Sequence, residues 1–214
     1  MRMLTRAAAA LVLAALTAVG VGGTPAAAAP APQPAPVAST AVLIPYGEGS
    51  AVVEQQRKSI AARHNMAAQA ILCWHNVAIY ANANGRWVSM EKGYSGGDNG
   101  MLRARATVVG PWERYVVCRD NVTGYTYWAS QDTGRVVSTE LGYSAGDYGM
   151  LRARATIVGP WEQYYTTFGP GNWFSMYAYG NARWVSTEIG YSAGDNGMLR
   201  ARATVIGPWE LYYW

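Results

Sequence analysis

Apolar and polar residues alternate one by one from Met101 to Thr107. Leu102, Ala104 and Ala106 fall on one side of an extended chain, and Arg103, Arg105 and Thr107 fall on the other. Gly110-Pro111 stops that strand, because proline has no N–H to give to a ladder, and Tyr115-Val-Val-Cys118 begins another. The pattern is not local. The 21 residues from Gly93 to Glu113 recur at 142–162 and 190–210 with 17 positions identical in all three copies, at spacings of 49 and 48 residues. Upstream of each copy stands a second shared element: Gly85-Arg-Trp-Val-Ser89, Gly134-Arg-Val-Val-Ser138 and Ala182-Arg-Trp-Val-Ser186, each followed by a glutamate (Glu91, Glu140, Glu188). An aromatic precedes each element, at Tyr80, Trp128 and Tyr177, and an extra residue in the loop that follows it in the second copy accounts for the spacing of 49.

Asn84-Gly85 and Thr133-Gly134 mark hairpin turns. Each unit therefore supplies about four short strands, as at 115–118, 125–129, 136–139 and 150–156 in the second. One such unit cannot bury its apolar face alone. Three units can close about a threefold axis, and closure removes exposed strand edges. The predicted fold class is all-β: a single β-trefoil of three repeats of about 48 residues over 71–214, divided at about 71–114, 115–163 and 164–214. The last residues, Glu210 to Trp214, are one strand long and are expected to close the ring near Ile71-Leu-Cys-Trp74.

What precedes the repeats reads differently. Residues 1–28 read as a signal peptide, with Arg2 and Arg6 ahead of an apolar stretch and small residues at the cleavage point. Residues 29–40 form a Pro/Ala-rich linker. Residues 41–70 form an N-terminal extension carrying a short helix, capped by Ser50 and striped by Val53, Ile60 and Ala67. The expected location is secreted, with no membrane span left once the signal is removed. Removal also takes the formal charge from +4 to +2, since Arg2 and Arg6 leave with it. With no basic run left, nucleic acid is not an expected partner. Export brings the chain to an oxidising compartment, where Cys73 and Cys118 either form a disulfide or stay as two buried thiols.

The pairing of Gly-Arg-Trp-Val-Ser with a downstream Gly-Pro-Trp-Glu, three times over, resembles the fascin-like (actin-crosslinking-like) β-trefoil family, in a bacterial secreted form. The resemblance covers 71–214. It implies the trefoil fold, and it implies glycan binding in the manner of modules that accompany sugar-cleaving enzymes. The Gln-x-Trp signature of ricin-like lectin trefoils is absent.

The acids sit mostly at threefold-equivalent places: Glu91, Glu140, Glu188; Asp98, Asp147, Asp195; Glu113, Glu162, Glu210. Equivalent environments do not separate acid from base, and no serine elbow, metal-spaced His/Cys cluster or phosphate loop is present. The chain reads as no enzyme, with no cofactor and no metal. Trp112, Trp161 and Trp209 are expected to plug the barrel. The six arginines of the alternating strands (103, 105, 152, 154, 200, 202) are expected as exposed partners of the repeated glutamates.

The Gly-rich loop Gly-Tyr-Ser-x-Gly-Asp-x-Gly is the best candidate for contact. It offers an acceptor (Asp98, Asp147, Asp195), a ring (Tyr94, Tyr143, Tyr191) and a varying neighbour (Asn99, Tyr148, Asn196). A carboxylate beside a ring suits a sugar, which has hydroxyls to donate and an apolar face to lay down. In the opposing reading the aspartate bonds its own backbone in a turn. The expected function is a secreted, non-catalytic module that binds a polysaccharide or cell-surface glycan through up to three equivalent loops. The alternative is a protein-binding trefoil, an inhibitor or an extracellular matrix or structural protein.

Overall fold

The computed structural model describes residues 71–214. The signal peptide, the linker and the short helix lie outside the described residues. The described chain forms thirteen strands, all paired antiparallel in one network. They are β1 (Ile71–Val77), β2 (Tyr80–Ala81), β3 (Arg86–Met90), β4 (Leu102–Ala106), β5 (Tyr115–Asp120), β6 (Thr126–Ser130), β7 (Val136–Thr139), β8 (Leu151–Ala155), β9 (Tyr164–Phe168), β10 (Phe174–Ala178), β11 (Arg183–Glu188), β12 (Met198–Ala203) and β13 (Tyr212–Tyr213). The fold is the all-β trefoil that the repeat predicts.

Closure falls elsewhere than the sequence suggests. Strand β13 pairs with β2, Tyr212 opposite Ala81 and Tyr213 opposite Tyr80, and it meets β10 at Phe174. Strand β1 instead lies along β5. The reason is that Tyr212 follows Gly-Pro-Trp-Glu by the same two-residue step as Tyr115 and Tyr164. It is the third member of that set, so the last strand supplies what the first unit lacks.

Those three tyrosines, rather than the tryptophans, fill the centre. Tyr115, Tyr164 and Tyr212 are fully buried, while Trp112, Trp161 and Trp209 stay 38, 41 and 44% exposed. The turn chemistry explains the exchange. Gly-Pro-Trp-Glu folds as a short 3-10 turn at Pro111–Glu113, Pro160–Glu162 and Pro208–Glu210. Each glutamate reaches back to accept the backbone N–H of Gly110, Gly159 or Gly207 at 2.7, 2.6 and 2.7 Å. That reciprocal cap turns the tryptophan outward and delivers the next tyrosine inward. Around the tyrosines pack Val88, Val137, Val185, Leu102, Leu151, Leu199, Ala104, Ala153 and Ala201. Burial would orphan the phenol O–H groups, so each finds a partner. Tyr115 and Tyr212 donate to the carbonyls of Val88 and Val185, and Tyr164 bonds the Thr139 hydroxyl at 3.0 Å.

At one end the alternating strands meet in a ring. Met198 pairs with Arg103, Met101 with Arg152 and Met150 with Arg200, and the three methionines form their own buried cluster. The seams are tight. Ala153, Ala201 and Ala104 donate their N–H groups to the carbonyls of Gly100, Gly149 and Gly197 at 2.8, 2.7 and 2.7 Å.

The register also corrects the alignment of the units. Val136 faces Ala129, just as Trp87 faces Tyr80 and Trp184 faces Tyr177. Ala129, not Trp128, is therefore the equivalent of the two tyrosines, and Trp128 is a core residue. The hairpin turns 82–85, 131–134 and 179–182 have equal length. The extra residue lies in the β5–β6 turn, where Asp120 and Tyr125 bracket 121–124, against the Gly169–Trp173 bracket in the third unit. There the Asp120 carboxylate accepts the Val122 and Thr123 N–H groups and the Thr123 hydroxyl, which secures the longer turn.

Cys73 lies opposite Cys118 in the β1–β5 ladder, and the two are joined, with Cα atoms 4.0 Å apart. The two are not threefold-equivalent: Cys73 precedes Tyr80 on the strand that answers to β6, whereas Cys118 lies on β5, the counterpart of β13, and they meet because β1 runs antiparallel along β5.

Glu91, Glu140 and Glu188 are buried and pair with Arg105, Arg154 and Arg202. Burial pushes the Glu91, Glu162 and Glu188 carboxyls above their ordinary value of 4.5, against the pull of neighbouring arginines or hydrogen bonds. In the folded state these groups hold protons at higher pH than in the unfolded chain. The stability they add is present in full below 4.5 and fades as pH climbs through the folded values. The melting temperature, followed by calorimetry, should rise as pH is lowered from about 7 towards 5. A flat or falling curve over that range would contradict the assignment.

Candidate functional site

The glycine-rich loop folds the same way in each repeat. A single 3-10 turn (Gly96–Asp98, Ala145–Asp147, Ala193–Asp195) is followed by a glycine at positive φ: 89° at Gly100, 85° at Gly149 and 87° at Gly197. Backbone holds the aspartates in place. The carbonyls of Asp98 and Asp147 accept from Met101 and Met150 N–H at 3.0 Å. Among the described residues, no hydrogen bond or ion pair engages the side-chain carboxylates of Asp98, Asp147 or Asp195, so the Asx turn that competes with a binding role is not formed. Asp98 and Asp195 are exposed and Asp147 is half-buried.

The arginines lock the loops to one another. Arg152 donates Nε to the Asn99 carbonyl at 2.6 Å, Nη2 to the Gly96 carbonyl at 2.9 Å and Nη1 to the Tyr143 hydroxyl at 2.8 Å. One guanidinium thus ties the first loop to the second. Arg200 reaches the Tyr148 carbonyl at 2.8 Å, and Arg103 reaches the Asn196 carbonyl at 2.8 Å and the Tyr94 hydroxyl at 3.3 Å. The first of each arginine pair is therefore an inter-repeat clamp, buried in the case of Arg103, rather than an exposed partner of a glutamate. Arg105, Arg154 and Arg202 form the ion pairs with the glutamates. Tyr191 departs from the pattern, its hydroxyl accepting from Arg202 at 3.2 Å.

The nine candidate residues are thus brought together, but as one crown about the axis and not as three separate sites. The planar fork of arginine suits this task, since it satisfies several carbonyls at once without spending a carboxylate. The tyrosines Tyr94 and Tyr143 serve the clamp with their hydroxyls. Asp98, Asp195, Asn99 and Asn196 face outward with Tyr148 and Tyr191, which are 43 and 40% exposed, and Asp147 is half-buried. Asn196 closes its own loop by accepting the Gly190 N–H at 3.2 Å.

Three exposed features depart from the sequence reading. The tryptophans of the Gly-Pro-Trp turns, expected to plug the barrel, are one. The tyrosines Tyr125, Tyr165 and Tyr179 are another, with ring centroids 4.4 Å apart for Tyr125–Tyr165 and 5.3 Å for Tyr125–Tyr179. The third is an open cleft lined by Val109, Gly110, Pro111, Arg114, Gln131 and Asp132. The signal for the first was the Pro-Trp-Glu cap. The second had none, because its members come from different units and lie far apart in sequence.

Among the described residues no group of His, Cys, Asp or Glu is placed to hold a metal ion, and no helix is long and apolar enough to cross a membrane.

No family model matches this chain, and no curated protein matches it either. Solved structures do. A designed threefold-symmetric protein, ThreeFoil, aligns with a TM-score of 0.53 at 12% identity, covering 64% of this chain and 94% of that one. A mosquitocidal holotoxin aligns with a TM-score of 0.54 at 8% identity over 64% of this chain. An exo-β-1,3-galactanase from Clostridium thermocellum gives 0.54 at 11% identity over 65%. The chain spans 17% of the toxin and 29% of the galactanase. These likenesses show the fold, and they fit the trefoil read from the strands.

Proposed function

We propose that this protein is a secreted, non-catalytic module that binds a polysaccharide or cell-surface glycan. The observation that carries the reading is the crown: three aspartates without a side-chain partner among the described residues, held at fixed places by arginine clamps. Such acceptors are pre-organised for hydroxyl donors, and a rigid site loses little ordering entropy on binding. The Cys73–Cys118 bridge suits an exported protein. The likeness to a galactanase agrees with a glycan ligand, as does the resemblance to fascin-like trefoils of secreted bacterial proteins.

Because the loops interlock, the crown reads one branched or multiply bonded glycan end rather than three distant ones. Linked weak contacts still gain over a single one, by roughly 10²–10⁴-fold where geometry permits. Retention of the mature protein on a glycan array and on insoluble polysaccharides tests the reading. Asp98→Asn, Asp147→Asn and Asp195→Asn together should lower retention at least tenfold without changing the melting temperature by more than a few degrees. Wild-type retention by the triple variant would remove the crown from the site.

Tyr148 favours a second reading. It stands where Asn99 and Asn196 stand and is 43% exposed, so it breaks the symmetry of the crown as a single protein-binding anchor would. Loss of binding from Tyr148→Asn alone, with the triple variant unaffected, would favour a protein partner.

A further inference from the structure

The backbone is threefold, but the three outer seams are not alike. Each seam sets the exposed tryptophan of one unit beside the four-residue turn of the next. At the first seam Trp112 has Lys92 5.8 Å from its ring centre, Lys92 pairs with Asp132, and Arg114 and Gln131 line the cleft. Every one of those places changes at the second seam. Leu141 replaces Lys92, Gln163 replaces Arg114, Tyr179 replaces Gln131 and Gly180 replaces Asp132. Gly180 makes room there: a Cβ on it would meet Leu141 Cδ1 and Trp161 Cδ1, each at 3.2 Å. At the third seam the turn begins with Asn82 and Ala83, and Asn82 is spent on the Pro208 carbonyl.

The second seam gathers rings. Tyr179 is 49% exposed, Trp161 41% and Tyr165 39%. Tyr125 lies between Tyr165 and Tyr179 and packs on the disulfide-bearing cluster of Ile71, Cys73, Val116 and Cys118. Its hydroxyl is within hydrogen-bonding reach of both flanking tyrosines, and burial with those neighbours pushes it above its ordinary value of 10.0. Equal packing of three units cannot demand this cluster, because the places of Tyr179 hold Gln131 and Asn82, and that of Tyr165 holds Val116 in the second unit although Tyr213 repeats it in the first.

We propose that Trp161, Tyr179, Tyr125 and Tyr165 form a stacking platform for successive sugar rings of a neutral polysaccharide. The inference rests on the glycan-binding reading but not on the crown. Three arguments choose this occupant. Tyr125, Tyr165 and Tyr179 buttress one another and Trp161 lies against the Gly180 backbone, so their exposed faces are fixed before binding and little side-chain entropy is lost. Tyrosine and tryptophan offer an apolar face with a polar rim, which matches a sugar ring with its axial C–H face and its equatorial hydroxyls. The residues that stand at the places of Lys92, Arg114 and Asp132 are Leu141, Gln163 and Gly180, so the charges of the first seam are missing from the second and an acidic polymer loses those contacts.

The test uses the chain's own alternatives, which the scaffold already accommodates at equivalent places: Tyr179→Gln and Tyr165→Val, singly and together. Full-length mature protein is run in affinity gels containing mixed-linkage β-glucan, xylan, galactomannan or the acidic polymer polygalacturonate, is sedimented with cellulose and chitin, and is examined alone by sedimentation velocity. The crown triple variant and Trp112→Ala run alongside. The expected result is retention of the wild type on at least one neutral polymer, at least a tenfold loss in the double variant, and no loss in Trp112→Ala. Unchanged melting temperatures and circular dichroism confirm that the variants fold. Retention of the double variant equal to wild type overturns the platform while leaving the crown standing. Loss in the seam variant but not in the crown variant keeps the platform and removes the crown. Binding to acidic polymers alone overturns the proposal, as does a wild-type dimer in sedimentation that the double variant dissolves. No retention on any glycan overturns it together with the reading on which it rests.

Discussion

Alanine in place of Gly149 is expected to lower the melting temperature by roughly 10 °C. Two costs combine. The φ of 85° is one that an L side chain rarely adopts, and holding alanine there costs about 1–3 kcal/mol. The new Cβ would also stand 2.5 Å from the Ala201 carbonyl oxygen, which is backbone and cannot swing aside. Relief means opening the seam and losing the Ala201 N–H bond to the Gly149 carbonyl at 2.7 Å. A buried donor left without its partner costs about 1–3 kcal/mol more. The expected loss is therefore about 3–5 kcal/mol, read by thermal or urea unfolding. Gly146→Ala is the control, because nothing lies within 4 Å of its Cβ position, and it should change stability by less than about 0.5 kcal/mol. Equal effects at the two sites would mean that the seam yields to the methyl.

Gly149 illustrates what a repeat reveals and what it hides. The glycines, prolines and alternating strands repeat visibly, and the turns they punctuate give four strands per unit and closure of three units. The choice between Trp and Tyr for the centre was not legible. Trp112 and Tyr115 repeat equally well, and the larger ring is the better filler on area alone. The decision is made by Glu113, whose cap on Gly110 sets the direction of the turn, and that depends on three-dimensional geometry. The alignment of Trp128 with Tyr80 failed for a related reason. An insertion at 121–124 and one in the following turn give the same spacing, and only the pairing of Ala129 with Val136 tells them apart.

The crown was legible as residues but not as an assembly. Tyr94, Asp98 and Asn99 with their repeats do lie in equivalent exposed loops. That the loops interlock follows from Arg103, Arg152 and Arg200, which alternation alone marks as surface residues. Period two separates the two faces of a strand, but it does not say that one face meets a neighbouring loop. The seam of tyrosines was invisible for a stronger reason. Tyr125, Tyr165 and Tyr179 belong to three different turns and strands, and Tyr179 breaks the repeat outright, its places holding Gln131 and Asn82. Deviations from symmetry are where a threefold scaffold can differ from its own packing needs, so they are the places to search for selective contacts.

The two arginines of each alternating strand also predict a contrast in energy, clearest at Arg154. It donates Nε and Nη2 to the two oxygens of Glu140, which is almost wholly buried while Arg154 is half-exposed. Arg154→Ala leaves a buried carboxylate without its counter-charge, and removing one partner of such a pair costs about 3–5 kcal/mol when both are buried. Water can reach the arginine side here, so a loss of about 2–4 kcal/mol at pH 7 is expected. Glu140→Gln removes the other charge instead. The guanidinium it leaves already faces solvent on one side and keeps an amide oxygen as acceptor, so about 1 kcal/mol is expected. The order of the two variants is the test, measured by urea unfolding at pH 7. A larger loss in Glu140→Gln would mean that the carboxylate is held by the barrel's own dipoles and not by its arginine.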